Sequence, residues 1–341
     1  MQFCARELGA IALSIGIIPS CAAATDPASA YPDRQITLVI GFPPGGGADA
    51  LGRLFARHMA TELGRNIVMD YRPGAAGNLG AKSVARSNPD GYTLYLAGRP
   101  NTIHKAMYPQ LEYDFSQDLV PVGLVATMPY VMVVGKDAPI SSIQDVIALA
   151  RAYPGAPTCA SAGVGTSDHL LCAMFQQETG TDIAHIPYRG SAPALADVMG
   201  GRVDMFFAPL PAALPHIVAG KLRAVAVISR VRASALPHTP TIAESGYPAL
   251  ALDAWYGLMA PAGTPSEVVG RLNRSLASVL GTQEMQDALT QLAYIPPPPD
   301  TSEAFGALIA QETERWTEIL RRRNFLPTHD GKAADAPGAK P

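Results

Sequence analysis

The stretch Gln35-Ile36-Thr37-Leu38-Val39-Ile40-Gly41-Phe42-Pro43-Pro44-Gly45-Gly46-Gly47-Ala48-Asp49 decides the fold. Its first half is a short apolar run rich in β-branched residues and reads as a buried strand. A Pro-Gly turn follows, and Leu51, Leu54, Phe55, Met59 and Leu63 then recur at helical spacing while Arg53, Arg57 and Glu62 take other faces. Gly64 stops that helix. Strand, glycine turn and helix in this order make a βα unit, and the alternation continues along the chain. Further strands are predicted at 66–71, 92–97, 120–125, 130–134, 158–161, 183–187, 203–207, 222–228 and 255–260. Further helices are predicted at 141–153, 167–179, 192–199, 211–219, 265–280, 283–292 and 302–323, each opening near a Ser, Thr or Pro suited to a helix start. The pattern predicts an α/β chain with mainly parallel sheets flanked by helices. The run Pro296-Pro297-Pro298-Pro299 reads as a rigid connector.

The chain has 341 residues, 48% of them hydrophobic and 16% charged, enough for a substantial core and two domains. A net charge of −3 carries no basic excess for a phosphate backbone, so nucleic acid is not an expected partner. The apolar stretch from Leu8 to Ile18 follows Arg6 and precedes Pro19, Ser20, Cys21 and the small residues Ala22 to Ala24, which is the layout of a secretory signal peptide over residues 1–30. Cleavage after Ala24 or Ala30 fits. Ile18-Pro19-Ser20-Cys21 partly resembles a lipobox with an atypical Pro, which leaves lipid attachment at Cys21 as the lesser alternative to a free periplasmic protein. Export makes Cys159 and Cys172 eligible for a disulfide, with two buried thiols as the other reading. No metal-ligand spacing accompanies them, and no metal or cofactor is expected. Residues 331–341 are small, polar and Pro-containing, a disordered-tail composition.

Three strand-to-helix turns carry the polar chemistry. In Phe42 to Asp49, three adjacent glycines leave amide N–H groups unshielded at a helix N-terminus, which suits an anion; an ordinary βα turn is the other reading. The phosphate-loop and dinucleotide glycine patterns are both absent. In Ser161-Ala162-Gly163-Val164-Gly165-Thr166-Ser167-Asp168-His169, Thr166 and Ser167 are either donors to a carboxylate or helix caps, and His169 reads as a structural hydrogen-bonder. In Pro187-Tyr188-Arg189-Gly190-Ser191-Ala192-Pro193-Ala194, Ser191 is a cap or donor, and Arg189 is a ligand cation or a solvated charge. Gly98-Arg99-Pro100-Asn101 places a second Arg at a strand end with the same two readings. No nucleophile elbow, zinc-histidine pair or close carboxylate pair emerges, so catalytic residues are not expected.

Taken in order, Tyr31-Pro32, Phe42-Pro43-Pro44-Gly45-Gly46-Gly47 with Asp49, Arg72-Pro73-Gly74-Ala75-Ala76-Gly77-Asn78, Pro89-Asp90-Gly91-Tyr92, Pro187-Tyr188-Arg189-Gly190-Ser191, Ala219-Gly220-Lys221-Leu222-Arg223-Ala224 and Trp255-Tyr256-Gly257-Leu258 span the mature chain. In that series the sequence resembles the Bug family, the extracytoplasmic receptors related to tripartite tricarboxylate transporters. The resemblance implies a two-lobed type II periplasmic-binding fold, with one lobe at about 31–125 plus 230–330 and the other at 126–229. It implies a small organic carboxylate held mostly by backbone amides and small hydroxyls, with transporter membrane subunits or a sensor protein as partner. An enzyme on the same fold is the alternative, distinguished by turnover of the bound compound. The implied ligand set is Phe42, Pro43, Gly45, Gly46, Gly47, Asp49, Arg99, Asn101, Ser161, Gly163, Gly165, Thr166, Ser167, Tyr188, Gly190, Ser191 and Ala208. Two departures stand out. Ala208 and Pro209 occupy the place of a common Asp-Asn pair, which disfavours a ligand amino group and favours a more apolar or aromatic body. Arg99 and Asn101 replace small hydroxyls.

Overall fold

The computed structural model describes residues 31–107, 111–298 and 300–322, with the backbone alone at 104–106 and 322. The expected leader, Cys21 and the expected tail lie outside the described residues. Strand β1 (Ile36–Ile40) leads into α1 (Gly47–Leu63), and Gly64 closes that helix in the left-handed conformation at φ 66°. Ile36, Leu38 and Ile40 from the strand and Leu51, Phe55 and Met59 from the helix are fully buried in the same core, which is what the helical spacing anticipated. The lobe continues through β2 (Ile67–Tyr71), α2 (Asn78–Ala85), β3 (Thr93–Gly98) and α3 (Pro100–Met107). Neither α2 nor α3 was predicted. The first follows a Pro-Gly loop whose Gly74 and Gly77 take φ of 136° and 95°, and the second starts directly on a Pro, so turn signals masked both.

Strand β4 (Leu119–Gly135) corrects the expectation of two separate strands at 120–125 and 130–134. Pro129 stands in the gap between the two predicted segments, yet β4 runs through it unbroken and absorbs Pro121 at a register irregularity, as bulges allow. The second lobe then follows as α4 (Ile143–Ala152), β5 (Thr158–Ser161), α5 (Ser167–Thr179), β6 (Ala184–Pro187), α6 (Ser191–Met199), β7 (Met205–Pro209), α7 (Leu210–Val218) and β8 (Leu222–Val227). The chain returns through β9 (Asp253–Pro261), α8 (Ser266–Leu280), α9 (Gln283–Gln291) and α10 (Ser302–Arg322).

The strand order is β2-β1-β3-β9-β4-β7-β5-β6, with β8 also on β4. β1 is parallel to β2 and β3, and β5 is parallel to β6 and β7. The long central strands are antiparallel: β9 to β3 and β4, and β4 to β7 and β8. Each lobe is therefore a mixed sheet in which the outer βα units are parallel, as the alternation predicted, while the strands at the junction run against them. β4 pairs with β9 up to Pro129 and with β7 from Tyr130 onward, so a single strand belongs to both lobes.

Cys159 and Cys172 are bonded, which settles the reading left open by the sequence and ties β5 to α5.

Candidate functional site

The junction holds a cleft walled from both sides of β4. Phe42, Pro43, Pro44, Gly46, Gly47 and Ala48 contribute one edge, and Gly98, Arg99 and Pro100 a second. Met128 and Tyr130 of β4 and Ala254, Trp255 and Tyr256 of β9 form the floor, while Ala162, Thr166, Asp168, Gly190, Ser191, Ala192 and Pro209 close it from the other lobe. The lobes meet over it. An added Cβ on Gly190, at φ 107°, would come within 2.8 Å of Pro43 Cγ, so the two rims are in contact here and glycine is required on both steric and conformational grounds.

The α1 terminus is built to present free donors. Gly46 is the N-cap in extended conformation, and its carbonyl accepts from Asp49 and Ala50. Among the described residues no acceptor lies on the N–H groups of Gly46, Gly47 or Ala48, as expected for the first turn of a helix. A Cβ on Gly46 would touch nothing within 4 Å, so that residue faces open space at the cleft edge. Its φ of −98° is accessible to any residue, so backbone conformation does not demand glycine there. Tyr294 Oη donates to the Gly47 carbonyl at 2.6 Å and fixes the turn from below.

The facing turn is different. Asp168 accepts from the Ala162 N–H, Ser161 Oγ from the Gly163 N–H at 3.1 Å, and His169 Nδ1 from the Gly165 N–H at 3.2 Å. Thr166 caps α5 at the His169 N–H and donates to the Gly163 carbonyl at 2.6 Å. Ser161 Oγ is also 2.7 Å from His185 Nε2. The second glycine turn therefore commits the amides of Ala162, Gly163, Gly165 and Thr166 to its own acceptors.

Of the residues implied by the sequence, Phe42, Pro43, Gly46, Gly47, Arg99, Thr166, Gly190 and Ser191 line this cleft. Gly163 and Tyr188 line an adjoining groove formed with residues 73–77, where Tyr188 Oη donates to Asp197 at 2.7 Å. The rest stand off the wall. The Gly45 N–H donates to Asp49 at 2.9 Å, and Asp49 also accepts from Arg53 and Tyr71, so this carboxylate braces the loop. Burial alone would raise its pKa, but the bonds from Tyr71 and Gly45 and the Arg53 charge outweigh that and hold it below the ordinary value. Asn101 accepts from the Gly98 N–H at 3.0 Å inside the first lobe. Ser161 and Gly165 are committed to the facing turn as described; Ser167 is buried beneath it, and Ala208 is buried on β7 opposite Val131.

Two charged groups occupy the cleft wall. Arg99, expected at a turn where solvation was one reading, has a side chain only 6% exposed, with Nε 2.7 Å from Glu312 Oε2 of α10. The contact is a charge pair without hydrogen-bond alignment: neither Nε nor Nη1 has an aligned acceptor. Burial lowers the Arg99 pKa, and Glu312 opposes that shift. Asp168 is buried, and desolvation lifts its carboxyl to about 6. By contrast Arg189 is exposed on the adjoining groove. Sequence reasoning did not select Asp168, Tyr130, Trp255 or Tyr256. Asp168 had a local signal, standing two residues beyond the Thr166 cap, while the other three come from strands whose meeting only the tertiary fold decides.

A two-lobed α/β molecule whose single shared strand runs beneath a donor-edged cleft has the construction of a solute-binding receptor. Residues 51–325 match the family described as the tripartite tricarboxylate transporter family receptor, and the chain belongs to that family, whose members are receptors and not enzymes. The chain is 37% identical to protein BugT of Bordetella pertussis over 90% of its length and 95% of the relative's. Its fold is similar to an R. palustris structure with adipate, at TM-score 0.84 and 34% identity, covering 87% of this chain and 100% of the other. It is similar also to MatC from Rhodopseudomonas palustris with bound malate, at TM-score 0.81 and 30% identity, covering 85% and 100%. No helix among the described residues is long and apolar enough to cross a membrane.

Proposed function

We propose that the protein captures a small organic acid in the junction cleft, with a ligand carboxylate on the amides of Gly46, Gly47 and Ala48, and serves uptake or sensing from the periplasm. The observation that carries the reading is this set of uncommitted N–H donors at the α1 terminus, opening onto a cleft that both lobes cover. A helix terminus favours negative charge through its partial positive charge and its free N–H groups, without requiring a buried counter-ion. The relatives with adipate and malate bound support a carboxylate as the class. The apolar walls, from Phe42, Met128, Pro209, Trp255 and Tyr256, suit an apolar ligand body.

Lobes at 31–125 plus 230–330 and at 126–229 fit the partner change of β4 near Pro129 and the exit of the chain after β8. Cleavage near Thr25 or Tyr31 would release the protein for delivery to tripartite tricarboxylate transporter membrane subunits or to a sensor. The test is native mass spectrometry of protein from an exporting host, followed by calorimetric titration with adipate and malate. A bound acid, or saturable heat with either compound, is expected; apo protein that is silent toward every short organic acid would refute the reading.

A further inference from the structure

We propose that Asp168 is a contact of the captured acid and binds it with a proton in place: on capture, one proton from solvent settles on Oδ1, and the resulting O–H donates to a ligand oxygen. No bond of the ligand changes. The inference rests on the receptor reading above and adds which side chain of the second lobe meets the anion. Asp168 stands in the first turn of α5, is 3% exposed and lines the cleft. Its Oδ2 accepts from the Ala162 N–H. Oδ1 has no such tie among the described residues, because the neighbouring Thr166 hydroxyl donates to the Gly163 carbonyl instead, at 2.6 Å. Nor is it sealed, as the unpartnered Ser167 hydroxyl beside it is, so Oδ1 is the oxygen left to the cleft. Among the described residues no Lys, Arg or His side chain pairs with this carboxyl.

The groups facing Asp168 leave it a lone acid. On its own helix, burial pushes His169 down to about 3, and it holds His185 of β6, whose ring stacks 4.3 Å from that of His169, at about 4, so both imidazoles are neutral. β5 and β7 bring no titratable side chain besides the bonded Cys159. Across the cleft, Tyr130 of β4 and Tyr256 of β9 are raised above the ordinary phenol value by burial first and by the Asp168 charge in addition, so each remains a protonated hydroxyl. Arg99, the other charge on the wall, is paired with Glu312. The partial positive charge at the α5 terminus favours the carboxylate, yet burial outweighs it and lifts Asp168 to about 6. Tyr256 connects this acid to the first lobe. Its hydroxyl lies 3.9 Å from the place a Cβ on Gly47 would take, at the α1 turn, and is near enough to Asp168 to feel its charge. A carboxylate on the α1 amides therefore arrives within the field of Asp168. Two carboxylates so placed repel, and sharing one proton turns the repulsion into a charge-assisted hydrogen bond. The bound state then holds the proton more tightly than the free state. Affinity is greatest below the free value of about 6 and falls as pH rises beyond it.

The test counts protons, which a purely structural role would not move. The full-length mature protein is titrated calorimetrically with adipate and with malate, in two buffers of different ionisation heat, from pH 5.5 to 8.5, with allowance for protonation of the acids themselves at the low end. For the wild type, the heat difference between buffers at pH 7.5 should report about one proton taken up per acid bound. Its Kd should weaken about tenfold between pH 7 and pH 8. Asp168→Asn places a neutral donor of the same shape where the protonated carboxyl would be. It should show no buffer dependence, bind equally at pH 6 and pH 8, and bind more tightly than the wild type at pH 8. A folded Asp168→Asn that still takes up the proton, or that keeps the wild-type pH profile, overturns the proposal. If that variant does not melt cooperatively, the wild type decides alone: uptake of about one proton with a break in log Kd near pH 6 supports the proposal, and the absence of either overturns it. A wild type that binds an acid with Kd flat across the whole interval refutes the proton and leaves the receptor reading standing, whereas a wild type that binds no short organic acid removes both.

Discussion

Replacing Gly46 with valine should weaken ligand binding far more than replacing Arg189 with alanine, although one substitution adds a small apolar side chain and the other deletes a charge. The Gly46 position tolerates a side chain within the protein itself: its φ is −98° and no atom lies within 4 Å of an added Cβ. Loss of a preferred N-cap costs about 1 kcal/mol of stability, so the variant should fold. The new methyl groups instead occupy the space in front of the Gly47 and Ala48 amides. Each hydrogen bond to a charged acceptor contributes about 1.5–3 kcal/mol. Losing two corresponds to about 3–6 kcal/mol, or roughly 100-fold to 10,000-fold in Kd. Arg189 is exposed on the adjoining groove, where an ionic contact contributes about 0–1 kcal/mol, so Arg189→Ala should change Kd by less than about fivefold. The assay is calorimetric titration of both variants with an acid shown to bind the wild type, after each has been shown to melt cooperatively. Abolished binding in Arg189→Ala beside normal binding in Gly46→Val would refute the backbone cradle and place the anion on a surface salt bridge.

Asp168→Asn should raise the melting temperature at pH 8, with the gain vanishing near pH 4. Burial lifts this carboxyl to about 6 in the folded protein, above its ordinary 3.8, so the folded state binds the proton more tightly and loses stability as pH rises through that interval. Asparagine keeps an acceptor for the Ala162 N–H without an ionisable proton; a gain independent of pH would contradict the assignment. His169 and His185 act in the opposite sense. Burial depresses them to about 3 and about 4, which keeps them neutral in the fold, so stability they support above pH 6.5 is lost on acidification, and Asp168→Asn should steepen that loss. Replacing both Cys159 and Cys172 with alanine opens a cross-link between residues 13 apart, for which chain entropy predicts a loss of about 3 kcal/mol. Equilibrium denaturation should show a lower midpoint, and an unchanged midpoint would mean that the bond does not constrain the unfolded chain.

The sequence by itself determined the local units. The apolar run at Ile36–Ile40, the three glycines and the Leu51-to-Leu63 spacing required nothing beyond near neighbours to make a strand, a tight turn and an amphipathic helix, and the free amides of the α1 terminus follow from that geometry alone. The same locality hid α2 and α3 behind Pro and Gly, and split β4 at Pro129, because turn propensity is read from a few residues whereas a strand's continuity is set by its partners. Only the tertiary structure decided that β4 serves both lobes and that the central strands run antiparallel. It also decided that the second glycine turn commits its Ala162, Gly163 and Gly165 amides to Asp168, Ser161 and His169. The fate of Arg99 is the plainest case. A guanidinium at a strand end is solvated or buried according to what packs over it, and what packs over it is Glu312, 213 positions further along the chain. Burial and charge pairing depend on such distant contacts, and no local pattern in the sequence encodes them.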